Sequence, residues 1–144
     1  MECIYCKIIN KEIKGEVVFE DESSLAVLDV RPLSPGHTLV LPKSHSSSIL
    51  ELPENQVGHL FSVVKKIVEK LVKVLNPEGF TIGINQGKAG GQAIDHLHIH
   101  IIPRWCNDGG GSIHSIVNNP PKESLEEIAK KIKGFVQKSK PQGE

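Results

Sequence analysis

Three observations predict an α+β fold, a five-stranded antiparallel sheet with one long helix and a C-terminal helix. Short β-branched and apolar runs crowd residues 17–42, one stretch at residues 53–76 repeats apolar side chains at helical spacing, and residues 95–103 alternate histidine with aliphatic residues. Residues 17–21 and 25–30, separated by Glu22-Ser23-Ser24, read as a hairpin. Arg31-Pro32-Leu33-Ser34-Pro35-Gly36 is a loop by its prolines and glycine, and it leads into a third strand, residues 37–42, closed by Pro42. The helix carries Val57, Leu60, Phe61, Val64, Ile67, Leu71 and Leu75, with lysines interleaved. Pro77-Glu78-Gly79 ends it. Residues 80–85 form the fourth strand, residues 86–91 a glycine-rich loop, and residues 95–103 the fifth strand. The glycines of residues 107–111 predict a mobile loop, and a final helix is expected from about residue 122 to 137 with Leu125, Ile128, Ala129, Ile132 and Phe135 on its apolar face.

With 144 residues the chain is long enough for one domain with a real core and too short for two of ordinary size. Residues 1–105 are read as that domain, and residues 106–144 as a C-terminal loop and helix packed on it. Seventeen basic residues balance seventeen acidic ones, so no global field draws the protein to nucleic acid or to a membrane, and any anion site is local. The N-terminus lacks a basic region followed by an apolar one, and no stretch reaches the ~18 apolar residues of a membrane span, so a cytoplasmic location is expected. Three cysteines are an odd number, and Cys3-x-x-Cys6 points to metal or redox chemistry more than to a disulfide framework, leaving Cys106 over.

His96, His98 and His100 fall on one face of the fifth strand, with Leu97, Ile99 and Ile101 on the other: one face is imidazole and one is core. Three core imidazoles so close together would each need a buried partner. A metal site of these three alone would be strained, because residues two apart on a strand stand about 6–7 Å apart. A nucleophilic role fits better: a neutral imidazole attacks phosphorus if one ring nitrogen is held as donor and the other kept free, and His98 in the middle is best placed. The loop before the strand offers backbone N–H groups for oxygens that gain charge, and Gln92 adds a side-chain donor near the leaving oxygen. A glycine-rich loop also marks a plain turn. Cys3 and Cys6 by themselves are a redox pair, inert thiols or two ligands of a tetrahedral zinc that two imidazoles would complete.

Asp29, Pro35-Gly36-His37, Pro42-Lys43-x-His45, Asn85-x-Gly87, Gly91-Gln92 and His96-x-His98-x-His100 occur in the order found in the histidine triad (HIT) nucleotide-binding proteins, and over roughly residues 3–105 the chain resembles that family. The cysteine pair resembles its zinc-containing bacterial and archaeal branch. The resemblance implies the HIT-like fold and a purine nucleotide substrate. Asp29 would accept from the ribose hydroxyls, and Asn85, Gly91, Gln92, His98 and His100 would hold the phosphate, with His37 supporting them and His96 completing the catalytic triad. Without it, Asp29 reads equally as a strand-end turn carboxylate and Asn85 as a turn former. It further implies a nucleotidyl-histidine intermediate on His98, a structural zinc on Cys3, Cys6, His45 and His96 as the only cofactor, and a homodimer. Base contacts would come from apolar residues such as Ile8, Leu28 and Val30. Ala93 stands where many members carry Ser or Thr, which leaves the leaving group open, and Pro103-Arg104-Trp105 resembles branches acting on dinucleoside polyphosphates. The alternatives to a hydrolase are a nucleotide-binding regulator without turnover and a phosphorylase or nucleotidyltransferase using the same intermediate. His59 and His114 read as solvated or partner-facing.

Overall fold

The apolar runs pair as antiparallel strands because each buries alternate side chains on opposite faces of one sheet. In a computed structural model that describes residues 2–135, the elements are α1 (Ile4–Ile9), β1 (Val17–Glu20), β2 (Ser24–Leu28), β3 (Thr38–Pro42), α2 (Glu54–Leu75), β4 (Gly79–Gly83), β5 (Ile99–Arg104) and α3 (Leu125–Gly134). The sheet runs β1-β2-β3-β5-β4, antiparallel throughout. The fold clusters into two compact units, divided between Gly110 and Gly111.

In the first unit, the period of two assigns side chains to two cores. Ala26, Val40, Ile99 and Ile101 pack with Leu60, Val63, Val64, Ile67 and Leu71 of α2. Leu25, Val27, Leu39 and Leu41 turn the other way and pack with Tyr5 of α1, flanked by Cys3, Ile8, Ile9 and Ile94. His100 pairs with Leu39 across β3–β5, so the histidine side of that strand faces the α1 core. α2 stops at Asn76, which adopts a left-handed conformation with its N–H returned to Val72, and Pro77 follows. Pro103 is tolerated in a central strand because the β3 ladder ends at Ile101, and Ser34 Oγ donates to its carbonyl instead. Among the described residues no helix is long and apolar enough to cross a membrane.

The structure departs from the sequence reading in five places. The helix α1 was not foreseen; it is short, and it is started by Cys3, whose Sγ accepts from Cys6 N–H. The histidine strand joins the ladder only at Ile99: Pro42 ends β3, and ahead of that point Leu97 N–H reaches the carbonyl of Ser46. The glycine loop tightens into a 3-10 turn at Lys88–Gly90. The expected mobile loop is tied down, because the Asp108 carboxylate accepts from Arg104 Nε at 2.6 Å and from the N–H groups of Trp105 and Gly110. That guanidinium holds Asp108 far below the usual carboxylate range. In the second unit, Ser124 caps α3 by accepting from Glu127 N–H, which sets its start later than residue 122. Residues 136–137 of the expected helix lie outside the described residues.

One glycine positions the loop that ends at His37. Gly36 has φ +83°, and a Cβ built on it would lie 2.6 Å from Leu75 Cδ1, 3.1 Å from Leu71 Cδ2 and 3.3 Å from Pro103 Cγ. Both the left-handed backbone and the close approach to α2 exclude a side chain. Gly36→Ala is expected to cost about 2–4 kcal/mol, combining backbone strain with overpacking. Urea unfolding measures it; an unchanged midpoint would show that the loop moves away at no cost.

Candidate functional site

His98 is buried at the lead-in to β5, and its Nδ1 lies 2.7 Å from the carbonyl oxygen of His96. A carbonyl only accepts, so Nδ1 carries the hydrogen and the neutral ring keeps its lone pair on Nε2. Two edge-on contacts hold the ring: Tyr5 at 5.0 Å between centroids and 64° between planes, and His100 at 5.0 Å and 64°. The sequence reading placed the imidazoles on a face opposite the core. Instead α1 covers that face, and His96 is fully buried.

A second chain of hydrogen bonds fixes His100. The N–H of Leu33 donates to His37 Nδ1 at 3.1 Å, which puts the His37 hydrogen on Nε2, 2.9 Å from His100 Nδ1. His100 therefore accepts at Nδ1 and offers an N–H from Nε2. Asp29 Oδ2 is 3.5 Å from His37 Nε2, while its Oδ1 accepts the N–H of Arg31 at 2.9 Å. Burial pushes the pKa of His37 down, and burial with the neighbouring imidazoles pushes His100 down to about 4, so both rings are neutral at pH 7. Ligand atoms of Asp29, His37 and His100 all lie within 4.8 Å of one another. The 2.9 Å His37–His100 approach is nonetheless a hydrogen bond, shorter than the about 3.3 Å that two imidazole ligands of tetrahedral zinc require.

The glycine turn is held by Gln92. Its Oε1 accepts Gly87 N–H at 2.8 Å, and its Nε2 donates to the carbonyls of Ser47 at 2.9 Å and Ile94 at 3.0 Å. The amides of Gly90, Gly91 and Gln92 bond within the turn. The N–H groups of Gly87, Gly90, Gly91 and Gln92 and the Gln92 carboxamide therefore each have a partner within the protein. Asn85 sits against Gly91, where a Cβ would come within 3.7 Å of Asn85 Cγ.

At the N-terminal end of the histidine run, Cys3, Cys6, His45 and His96 bring four ligand atoms within 4.8 Å of one another. His96 Nε2 donates to the carbonyl of Pro42 at 2.9 Å, so its Nδ1 holds a lone pair and faces Cys3 Sγ at 3.4 Å and Cys6 Sγ at 3.6 Å. His45 Nδ1 lies 3.3 Å from Cys6 Sγ. Tetrahedral zinc with ordinary bond lengths places sulfur and nitrogen ligands about 3.5 Å apart, so these four residues fit such an ion. The donor set fits chemically as well: burial and the adjacent Cys3 sulfur raise the Cys6 thiol, a proton that a divalent ion displaces. A cavity of about 590 Å³ lined by Glu2, Cys3, Ile4, Cys6, His45, Ala93, Ile94 and Asp95 gives this cluster access to solvent.

Tyr5 is the site residue that the sequence reading missed; only its place between the two cysteines signalled it. Burial, with Asp29 and Cys3 nearby, pushes its hydroxyl up to about 12, so it stays neutral. His59 lies outside the site, paired with Asp21 at 2.7 Å, and His114 lies in a turn of the second unit where its N–H donates to the capping Ser112 Oγ. Of the residues expected at the base, Ile8 and Leu28 are half-buried and Val30 is exposed.

The sequence profile of the HIT domain family matches residues 10–106. An uncharacterized HIT-like protein of Methanocaldococcus jannaschii is 46% identical over 132 residues, covering 92% of this chain and 99% of that protein. The adenosine 5′-monophosphoramidase of Schizosaccharomyces pombe is 36% identical over 137 residues, covering 92% of this chain and 100% of its own. A crystal structure of a HIT family member from Bacillus subtilis matches the fold with a TM-score of 0.85 at 34% identity, covering 96% of this chain and 100% of that one. A zinc-bound histidine triad family protein from Mycobacterium smegmatis matches with a TM-score of 0.71 at 36% identity, covering 75% of this chain and 78% of that one. Matched by the family profile across its sheet, and by relatives along their full length that share its open five-stranded architecture, the chain belongs to the histidine triad (HIT) family.

Proposed function

We propose that the protein is a nucleotide hydrolase that cleaves a phosphoanhydride or phosphoramidate bond at the α-phosphate of a purine nucleotide. The substrate is a dinucleoside polyphosphate or a nucleoside phosphoramidate, and the reaction passes through a nucleotidyl-histidine intermediate on His98. The observation that carries this reading is the 2.7 Å hydrogen bond from His98 Nδ1 to the His96 carbonyl, which places the hydrogen of the neutral ring on Nδ1 and its lone pair on Nε2. The lone pair on Nε2 forms an N–P bond as the bond from phosphorus to the leaving oxygen or nitrogen breaks with its electron pair, and the leaving atom takes a proton from solvent. Water then attacks phosphorus, the N–P bond breaks, the ring recovers its lone pair and nucleoside monophosphate departs.

His100 donates from Nε2 to a phosphate oxygen as charge develops; as a neutral donor it has no proton to lose to a basic leaving group. Asp29 accepts from the ribose hydroxyls, and Ile8 with Leu28 meets the base. Asn85 and Gly91 form the wall of the phosphate site that Gln92 holds in place. Cys3, Cys6, His45 and His96 hold a zinc ion, which when bound cross-links the N-terminus to the histidine strand and takes no part in bond breaking. Exposed apolar residues Phe61 and Val72 on α2 and Ile82 on β4 support a homodimer through that face.

Intact-protein mass spectrometry after rapid mixing tests the chemistry. Wild type with a diadenosine polyphosphate or an adenosine phosphoramidate is expected to gain the mass of one adenosine monophosphate less water, and His98→Ala to gain none. Binding without adduct or product would point to a regulator, and a faster reaction with added phosphate to a phosphorylase.

Acid stability follows from the histidine chain. His100 is pushed below its unfolded value, so the unfolded chain binds the proton first as pH falls, and the stability is fully present only above the unfolded pKa of about 6.5. It is lost as pH falls from there to about 4, the folded value. Denaturation midpoints should decline across that window in wild type and decline less in His100→Gln; parallel profiles would refute the assignment.

A further inference from the structure

The hydrogen bond to His96 fixes one point of the His98 ring, and a ring held at one point can still pivot about that bond. The pivot is blocked by two rings packed edge-on with centroids 5.0 Å from that of His98, His100 on one contact and Tyr5 on the other. His100 belongs to the same strand and is itself held by His37. Tyr5 comes from α1, and its ring also meets His96 edge-on, with centroids 5.8 Å apart and planes at 86°.

A helix of six residues is too short to persist by itself, so α1 takes its register from what anchors it. Those anchors are the apolar contacts of Tyr5 with Leu25, Val27, Leu39 and Leu41, and the two sulfurs that bracket Tyr5 in sequence. The sulfurs meet His96 Nδ1, and the carbonyl of the same His96 receives the His98 hydrogen. Both constraints on His98 that do not come from His100 therefore lead back to the four-residue cluster.

We propose that Tyr5 is a positioning residue for His98, and that it transmits occupancy of the Cys3–Cys6–His45–His96 site to the nucleophile. The aromatic edge, not the hydroxyl, does this, because the ring makes the contacts. The proposal rests on the reading of His98 as nucleophile, yet the orientation of His98 is measurable without turnover.

Zinc-loaded wild type, Tyr5→Phe, Tyr5→Leu and Tyr5→Met are compared by nitrogen–proton correlation spectra of the imidazoles at neutral pH, with His98 signals identified by their loss in His98→Ala. Wild type and Tyr5→Phe are expected to show the single Nδ1–H tautomer. The Leu and Met variants, with zinc content unchanged, should show averaged or doubled His98 signals, and wild type stripped by a chelator should move the same way. Met fills a similar volume, so it serves if Leu unfolds the chain. In single turnover the rate of adduct formation should fall about 10- to 100-fold in Leu or Met, with substrate affinity changed far less, and should be restored in Phe. Unchanged His98 signals in a folded Leu or Met variant, or a loss of affinity alone, would overturn the proposal. Absence of adduct in wild type would instead sink the hydrolase reading, while the spectra would still decide the role of Tyr5.

Discussion

The bond from His98 Nδ1 to the carbonyl of His96 is the constraint on which the site depends. It spans two residues of the lead-in to β5, so no distant element has to be placed for it to form. Its direction is set by chemistry, because a carbonyl has no proton to give. What it does require is that His96 stay still, and His96 is fully buried, bonded through Nε2 to Pro42 and facing two sulfurs through Nδ1. Its own pKa is pushed down chiefly by burial, which favours the neutral ring that this two-sided arrangement needs. The tautomer of one histidine is thereby tied to the packing of the N-terminus on the sheet.

Three similar histidines do three different jobs because His96 and His98 lie on the lead-in to β5 and only His100 stands in its ladder. The rings of His98 and His100 meet edge to edge with centroids 5.0 Å apart, while each histidine turns a ring nitrogen to a different partner. His96 accordingly turns to the sulfur cluster, His98 keeps a free nitrogen, and His100 joins the chain from Leu33 through His37. In every one of them one ring nitrogen has a protein partner that decides where the hydrogen sits. No pair shares a proton ambiguously, because each series begins at a backbone group that can only donate or only accept.

Legibility in the sequence followed the range of the interaction. The hairpin of residues 17–21 and 25–30 and the long helix came from period and turn residues, which are local. The ligand set of Cys3, Cys6, His45 and His96 was legible only through the resemblance, since nothing in the spacing of residues 6 and 45 brings them together. The helix α1 was illegible because six residues carry too little periodicity, and with it went the fact that the imidazole face is covered. Gln92 and the glycine amides were read as donors for a ligand; here Gly90, Gly91 and Gln92 N–H bond within the turn and Gln92 Nε2 donates to the carbonyls of Ser47 and Ile94, a tertiary detail that composition does not encode.

The same division of faces separates an aliphatic floor from a chemically mixed cover. The α2 face of the sheet is aliphatic and filled by a long helix whose apolar stripe is continuous, so it gives β5 a rigid floor. The α1 face mixes Leu and Val with imidazole, thiol and phenol, and its cover is one short helix beside a cavity of about 590 Å³. Stability and chemistry are thus separated by the thickness of a single sheet. The floor can be held by volume alone, whereas the cover works only if ring edges, sulfur positions and a carbonyl direction agree, and those are the quantities that a bound ion at the cysteine pair would fix together.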